Sequence, residues 1–169
     1  MLRKTIVVFS VLALALFSGC TSKEKEGATA EAPDFKLEDL SAKKVRLSDL
    51  KGRVVLIEFW ATWCPPCRAE IPAIERLHKE YGGKGLTVLA VSMDEGGWDE
   101  VKAFVKESKI SYTVLKGTEE VSSKYKVRLI PATFLVDKQG NIAKRYMGGG
   151  TSEAVEQDIK ALLERSGSV

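Results

Sequence analysis

Hydrophobic positions along the chain fall into short blocks whose period switches repeatedly between that of a strand and that of a helix. Phe35–Leu40 and Lys44–Leu47 show brief period-two alternation with a turn between, which predicts a preliminary β-hairpin. Ser48-Asp49-Leu50-Lys51-Gly52 reads as a turn or short helical loop. Val54–Trp60 is apolar except for Glu58, the pattern of a central strand covered on both faces. From about Cys64 to Tyr81 the period lengthens, with Ile71, Ile74, Leu77 and Tyr81 on one stripe, and Gly82-Gly83 ends the helix. Leu86–Met93 predicts a second buried strand, and Trp98–Ser108 a helix with Val101, Phe104 and Val105 inward. A short strand at Thr113–Leu115 and a short helix at Glu119–Tyr125 follow. Thr133–Asp137 and Ile142–Tyr146, joined by Lys138-Gln139-Gly140-Asn141, predict a hairpin. Ala154–Leu163 is a closing amphipathic helix with Val155, Ile159, Leu162 and Leu163 inward. Strands alternating with helices and ending in a hairpin predict an α/β fold, a central mixed sheet with helices on both faces. Gly148-Gly149-Gly150 lacks the spacing and the lysine of a phosphate loop and reads as a hinge before the last helix.

The first twenty residues break this pattern. Arg3 and Lys4 precede an apolar run from Ile6 to Phe17 that exits through Ser18-Gly19-Cys20, the layout of a secretory signal. Thr5 to Gly19 would span roughly 22 Å as a helix, short of the ~30 Å hydrocarbon core of a bilayer. Leu16-Phe17-Ser18-Gly19-Cys20 also resembles a bacterial lipobox, with Phe17 where leucine is usual. Lipidation of Cys20 gives that thiol a role; plain secretion and an uncleaved anchor are the alternatives. The expected organisation is a signal over residues 1–19, a lipidated Cys20 with a flexible tether over 20–32, and one domain over 33–169. The expected location is the bacterial cell envelope, anchored to a membrane and facing the periplasm or outer surface.

Composition narrows the classes further. The chain has 169 residues, 44% apolar and 29% charged, ordinary for one soluble domain. A formal net charge of +3 is too small for a nucleic-acid footprint, so no nucleic-acid partner is expected. Arg3 and Lys4 carry most of that excess, so removal of the signal leaves the domain nearly neutral. Three cysteines and one histidine are too few for a disulfide scaffold or a multi-metal site. A monomer without cofactor or metal is expected.

The chemistry lies in Trp63-Cys64-Pro65-Pro66-Cys67, a C-x-x-C where a buried strand meets a helix. Thiols three positions apart at a helix start can close a disulfide across one turn. The first thiolate then sits at the positive end of the helix dipole, which favours its charged, nucleophilic form. Pro65 and Pro66 lack N–H groups at no cost in the first turn. A zinc site needs about four ligands, and His78 lies eleven residues past Cys67, roughly 16 Å along the same helix. Covalent haem attachment wants histidine where Arg68 stands. A structural disulfide closing so small a loop adds little stability. Redox catalysis is the reading that remains best supported, with Trp60 and Trp63 shielding the site. His78 reads as a packing or surface residue.

Glu58-Phe59-Trp60-Ala61-Thr62-Trp63-Cys64-Pro65-Pro66-Cys67 resembles the thioredoxin active-site stretch, in which an acid stands six before the first cysteine. Pro72 matches the proline inside the thioredoxin active-site helix. Arg128-Leu129-Ile130-Pro131-Ala132-Thr133 is similar to the cis-proline loop that faces the dithiol in that fold. The lipoprotein-like start, the N-terminal hairpin and the insertion between Trp98 and Tyr125 resemble the membrane-anchored TlpA/ResA-like thiol–disulfide oxidoreductases, relatives of the cytochrome c maturation thioredoxins. The resemblance covers about residues 33–165. It implies a thioredoxin-like fold with a Cys64–Cys67 redox disulfide, Cys64 attacking and Cys67 resolving. Trp63, Pro65, Pro66, Ile130 and Pro131 would meet the substrate, by strand addition at a cis Pro131; a plain strand-start proline is the alternative. Glu58 would take a proton from Cys67, or else reach the sheet edge and water. Glu70 would tune the dithiol, or else be a solvated helix residue. The implied partners are exported proteins with disulfides, apo-cytochrome c among them, and a membrane thiol that donates electrons.

Two rival functions meet part of the pattern. A peroxiredoxin wants threonine three before the attacking cysteine and proline four before that, where Ala61 and Ile57 stand. A chaperone module holding a soft metal such as copper(I) needs only the two thiols.

Overall fold

The computed structural model describes residues 30–149 and 152–165. The signal region, Cys20 and most of the tether expected at 20–32 lie outside the described residues. The chain first forms a small antiparallel pair, β1 (Lys36–Glu38) with β2 (Lys44–Arg46), the predicted hairpin with strands shorter than the sequence alternation. A 3-10 turn at Leu47–Leu50 leads to β3 (Val54–Trp60), helix α1 (Pro65–Tyr81) and β4 (Leu86–Ser92). Helix α2 (Trp98–Glu107), strand β5 (Thr113–Lys116) and helix α3 (Glu119–Lys124) form the insertion. Strands β6 (Ala132–Val136) and β7 (Ile142–Met147) and helix α4 (Ser152–Glu164) complete the domain.

The main sheet has the order β5-β4-β3-β6-β7. Strand β3 runs parallel to β4, and β4 to β5, while β6 and β7 are antiparallel additions. A parallel neighbour requires a crossover, and α1 supplies it between β3 and β4. The β6–β7 turn is set by Asp137, whose carboxylate accepts from the backbone N–H groups of Gln139 and Asn141, with Gly140 at φ 94°.

All seven residues of β3 are buried, as its apolar run, interrupted only by Glu58, predicts. Alternate side chains enter two separate cores. Val54, Leu56 and Trp60 join α1, α2 and α4 on one face. Val55, Ile57 and Phe59 join α3 and the N-terminal segment on the other. Full burial of a large apolar side chain is favourable by about 1.5–3 kcal/mol, so this strand contributes on the order of 10 kcal/mol before conformational entropy is subtracted. Phe104, expected inward, packs against the first of these cores, half-buried on Trp60.

The domain's contacts begin before residue 33. Ala32 is buried and its N–H donates to the Gly140 carbonyl at 2.9 Å, while Ile142 N–H donates to the Ala30 carbonyl at 2.8 Å. Low hydrophobicity hid this short backbone pairing from the sequence. It places the entry of the tether at the ends of β6 and β7 away from the dithiol, since β7 runs from Ile142 up to Met147 beside Ala132.

Candidate active site

Cys64 is the N-cap of α1, with extended backbone (φ −91°, ψ 105°). Its Sγ accepts from the Cys67 N–H at 3.3 Å, in the manner of a capping hydroxyl. Cys64 N–H donates back to the Ala61 carbonyl at 3.2 Å, and the Cys64 carbonyl accepts the first helical bond from Arg68 at 3.1 Å. Pro65 and Pro66 occupy the first two helical positions, where a missing N–H leaves nothing unpaired. Cys64 and Cys67 form a disulfide, S–S 2.06 Å. Cys64 is 3% exposed and Cys67 is sealed completely, so the helix presents the first sulfur to its rim and hides the second in the core.

Two carboxyls stand behind the disulfide. Glu58 points from β3 into the face covered by α1 and is 1% exposed, so its reach to the sheet edge and water is excluded. Its Oε1 has no hydrogen-bond partner within the protein. Burial, and then the neighbouring charge of Glu70, hold its proton affinity well above the ordinary carboxyl range. Glu70, one turn beyond Cys67, is half-buried rather than solvated, and burial raises its proton affinity too. A cleft of about 210 Å³ between α1 and α4 runs beside it, walled by Leu56, Ile74, Leu77, Val155, Thr133 and Glu70 itself.

The Ile130–Pro131 peptide bond is cis. Pro131 is buried immediately before β6, and its carbonyl accepts from Gly148 N–H at 2.9 Å. Trp63, Leu129 and Met147 are the exposed large hydrophobics of the described residues, at 66%, 52% and 46%. Trp63 precedes Cys64, Leu129 lies two before Pro131, and Met147 pairs with Ala132, which pairs with Phe59, so the three lie toward the end of the sheet that carries the disulfide. Trp60, expected beside Trp63 as a shield, is instead buried against Phe104 below the site, while Trp63 projects outward.

Sequence reasoning missed Leu129, Met147 and Asp94. Leu129 and Met147 sit where alternation gives no exposure signal. Asp94 accepts from Thr62 N–H and, at 2.6 Å, from the Thr62 hydroxyl, and so ties the loop before Cys64 to the end of β4. An acid just past a predicted strand end was the available clue. His78 is a packing residue, half-buried and edge-on to Tyr112 at 6.1 Å. Among the described residues no three His, Cys, Asp or Glu side chains gather in a way that could hold a metal.

A five-stranded mixed sheet with a C-x-x-C at the start of its first long helix, opposite a cis-proline, defines the thioredoxin class of thiol–disulfide proteins. Residues 28–145 match the AhpC/TSA family, and the chain belongs to it. It is 35% identical over 167 residues to the thiol-disulfide oxidoreductase ResA of Bacillus cereus, covering 92% of this chain and 95% of that protein. Among solved structures it is similar to a putative thiol:disulfide interchange protein DsbE from Chlorobium tepidum (TM-score 0.75, 35% identity, 80% of this chain and 96% of that one). It is also similar to the exposed lipoprotein thioredoxin of Streptococcus pneumoniae (TM-score 0.68, 32% identity, 77% and 100%). The chain is a thiol–disulfide oxidoreductase.

Proposed function

We propose that this oxidoreductase works as a reductant of disulfides in exported proteins, with apo-cytochrome c cysteines as one such substrate. The observation that carries the direction is the setting of Cys67. It is sealed in an apolar core, with the carboxyls of Glu58 and Glu70 on the same side of the sheet. A dithiol whose buried second thiolate gains little stabilisation returns readily to the disulfide and is therefore a good electron donor.

In this reading the reduced Cys64 thiolate, favoured by the helix terminus, attacks one sulfur of the partner's disulfide, and the other partner sulfur leaves as a thiolate. Cys67 loses its proton to the ionised Glu58 carboxylate and attacks Cys64 Sγ. The mixed disulfide breaks, the partner leaves as a dithiol, and the Cys64–Cys67 disulfide forms, two electrons having passed to the partner. The high proton affinity of Glu58 suits it to accept that proton. Glu70 tunes the pair. Trp63, Pro65, Pro66, Ile130 and Pro131 receive the partner segment in extended form. With the Pro131 carbonyl engaged by Gly148, the backbone of Ile130 is the group placed to pair with it.

The same proposal places the domain in the cell envelope, held by a lipid on Cys20 and a tether that ends where Ala30 and Ala32 join the domain. It draws electrons there from a membrane thiol. The exposed lipoprotein thioredoxin among its structural neighbours supports this placement. The tether joins the domain at the end away from the dithiol, so an anchored domain would turn its active surface outward. Peroxide chemistry gains no support: Ala61 offers no hydroxyl, and Ile57 is locked mid-strand between Leu89 and Phe134.

Thiol trapping in living cells tests the direction. A Cys64–Cys67 pair found mostly reduced, and reoxidised on adding a disulfide-bearing apo-cytochrome, agrees with a reductant. A mostly oxidised pair reverses the reading. Stoichiometric metal on the reduced protein without disulfide exchange replaces it with a metal-carrying role.

A further inference from the structure

The connection between β7 and α4 begins with two glycines in left-handed backbone, Gly148 at φ 76° and Gly149 at φ 96°. They differ in what surrounds them. A Cβ on Gly148 would meet only Leu129 Cδ1, at an ordinary 3.8 Å. A Cβ on Gly149 would lie 2.6 Å from Glu70 Oε1 and 3.6 Å from Glu70 Cδ, with Pro131 Cγ at 3.8 Å. The Gly148 N–H bond to the Pro131 carbonyl fixes the strand end against the cis-proline and so leaves Gly149 little freedom to move away.

We propose that Gly149 is a positioning residue for Glu70, its missing side chain giving the Glu70 carboxyl a seat between the turn and Pro131. Any side chain at 149 displaces that carboxyl toward solvent. The inference rests on the reading of Glu70 as the group that tunes the dithiol. The seat explains why the Glu70 carboxyl is half-buried and holds its proton more tightly than an exposed one. The other titratable groups on the surrounding elements are few. Glu58 faces it from β3 and, in the reduced protein, Cys64 and Cys67 lie on its own helix. Strand β7 brings Tyr146, whose hydroxyl is committed to Asp158 of α4, which also pairs with Lys144. Displacing the Glu70 carboxyl therefore moves a proton-binding group out of the dithiol's surroundings without touching either sulfur.

The test compares Gly149→Ala with Gly148→Ala in the full chain. Both carry the strain of a left-handed side chain, but only the first meets Glu70. The midpoint of the Glu70 carboxyl is read by carbon-detected NMR titration of the oxidised protein, assigned with Glu70→Gln. The pH profile of Cys64 alkylation is read in the reduced protein. Gly149→Ala should shift the Glu70 midpoint downward and move the alkylation profile, whereas Gly148→Ala should leave both in place. In a Glu70→Gln background Gly149→Ala should have no further effect on the profile. Equal shifts in both variants, or none in either, overturn the proposal. If the midpoint moves and the profile does not, the seat stands and the tuning role of Glu70 falls. Should Gly149→Ala fold poorly, Gly149→Asn carries the same measurement, because asparagine tolerates left-handed backbone best among side-chain-bearing residues.

Discussion

Asp94, two residues past the end of β4, receives both the backbone N–H and the hydroxyl of Thr62, two residues before Cys64. The Ser92 hydroxyl donates to the same carboxylate at 2.8 Å, and Met93 N–H closes onto the Trp60 carbonyl at 2.7 Å. The loop that carries the reactive sulfur is thus held by a neighbouring strand as well as by its own turn, the Cys64 N–H to Ala61 carbonyl bond. Asp94→Ala leaves these donors without their acceptor, and one unsatisfied, partly buried group costs about 1–3 kcal/mol. Chemical denaturation should show a loss in that range, and Thr62→Val a smaller one, since its N–H still reaches Asp94. Equal stability of Asp94→Ala and the parent would show that the clamp holds nothing.

The burial difference between the two sulfurs separates their mutants. Cys64→Ser should reduce insulin-disulfide cleavage to background. Cys67→Ser should accumulate a mixed disulfide through Cys64, visible as a reducible adduct on a non-reducing gel. Full activity in both variants would remove the dithiol mechanism.

Glu58 makes a pH prediction whose sign is fixed by the direction of its shift. Its folded-state proton affinity is raised, by burial first and by Glu70 second. The stability it contributes is therefore present below the ordinary glutamate range and is lost as pH rises through its elevated folded value. In that window the unfolding free energy should fall with a slope approaching about 1.4 kcal/mol per pH unit for one proton. Glu58→Gln should flatten this limb in the oxidised protein. The same variant should slow resolution of the mixed disulfide by about 100-fold or more, the usual contribution of a positioned base.

Trp63, Leu129 and Met147 predict a split between large and small substrates. Changing Leu129 or Met147 to Ser should raise KM for a protein disulfide by about 5–10-fold, the loss expected for a contact of about 1 kcal/mol. Reaction with a small aromatic disulfide should be unchanged, because neither residue touches the sulfurs. Parallel losses on both substrates would place these residues in the chemistry instead.

Glu156 predicts an acid limb. Hydrogen bonds from Arg76, Lys160 and Tyr81 hold it down at about 2, and those from Arg76 and Tyr81 tie α4 to α1. Its contribution is complete above the ordinary glutamate range and disappears as pH falls toward about 2. Glu156→Gln should lower stability at neutral pH and make the decline between pH 5 and 2 shallower in a denaturation series.

Much of the fold was legible because each strand and helix buries its own face. The seven apolar-dominated residues of β3 came out as a strand with the predicted bounds, and the stripe of Ile71, Ile74, Leu77 and Tyr81 is the buried face of α1. Ala32 departed from expectation, because its burial depends on the β6–β7 turn that lies across from it. Local periodicity carries no record of such neighbours.

By itself, the sequence determined the chemistry: two thiols one helical turn apart, with prolines where missing N–H groups do no harm and a carboxyl on the strand that feeds them. These are local relations, and local spacing preserves them. The tertiary structure alone decided which thiol is sealed, whether Glu58 meets water, that Pro131 is cis, and which hydrophobics remain outside. Each of those depends on contacts between residues far apart in the chain. Thr62 with Asp94 and Glu70 with Gly149 are examples, brought together only when the sheet closes under α1. Packing sets burial, and burial sets proton affinity, so the tuning of this site became readable only in three dimensions.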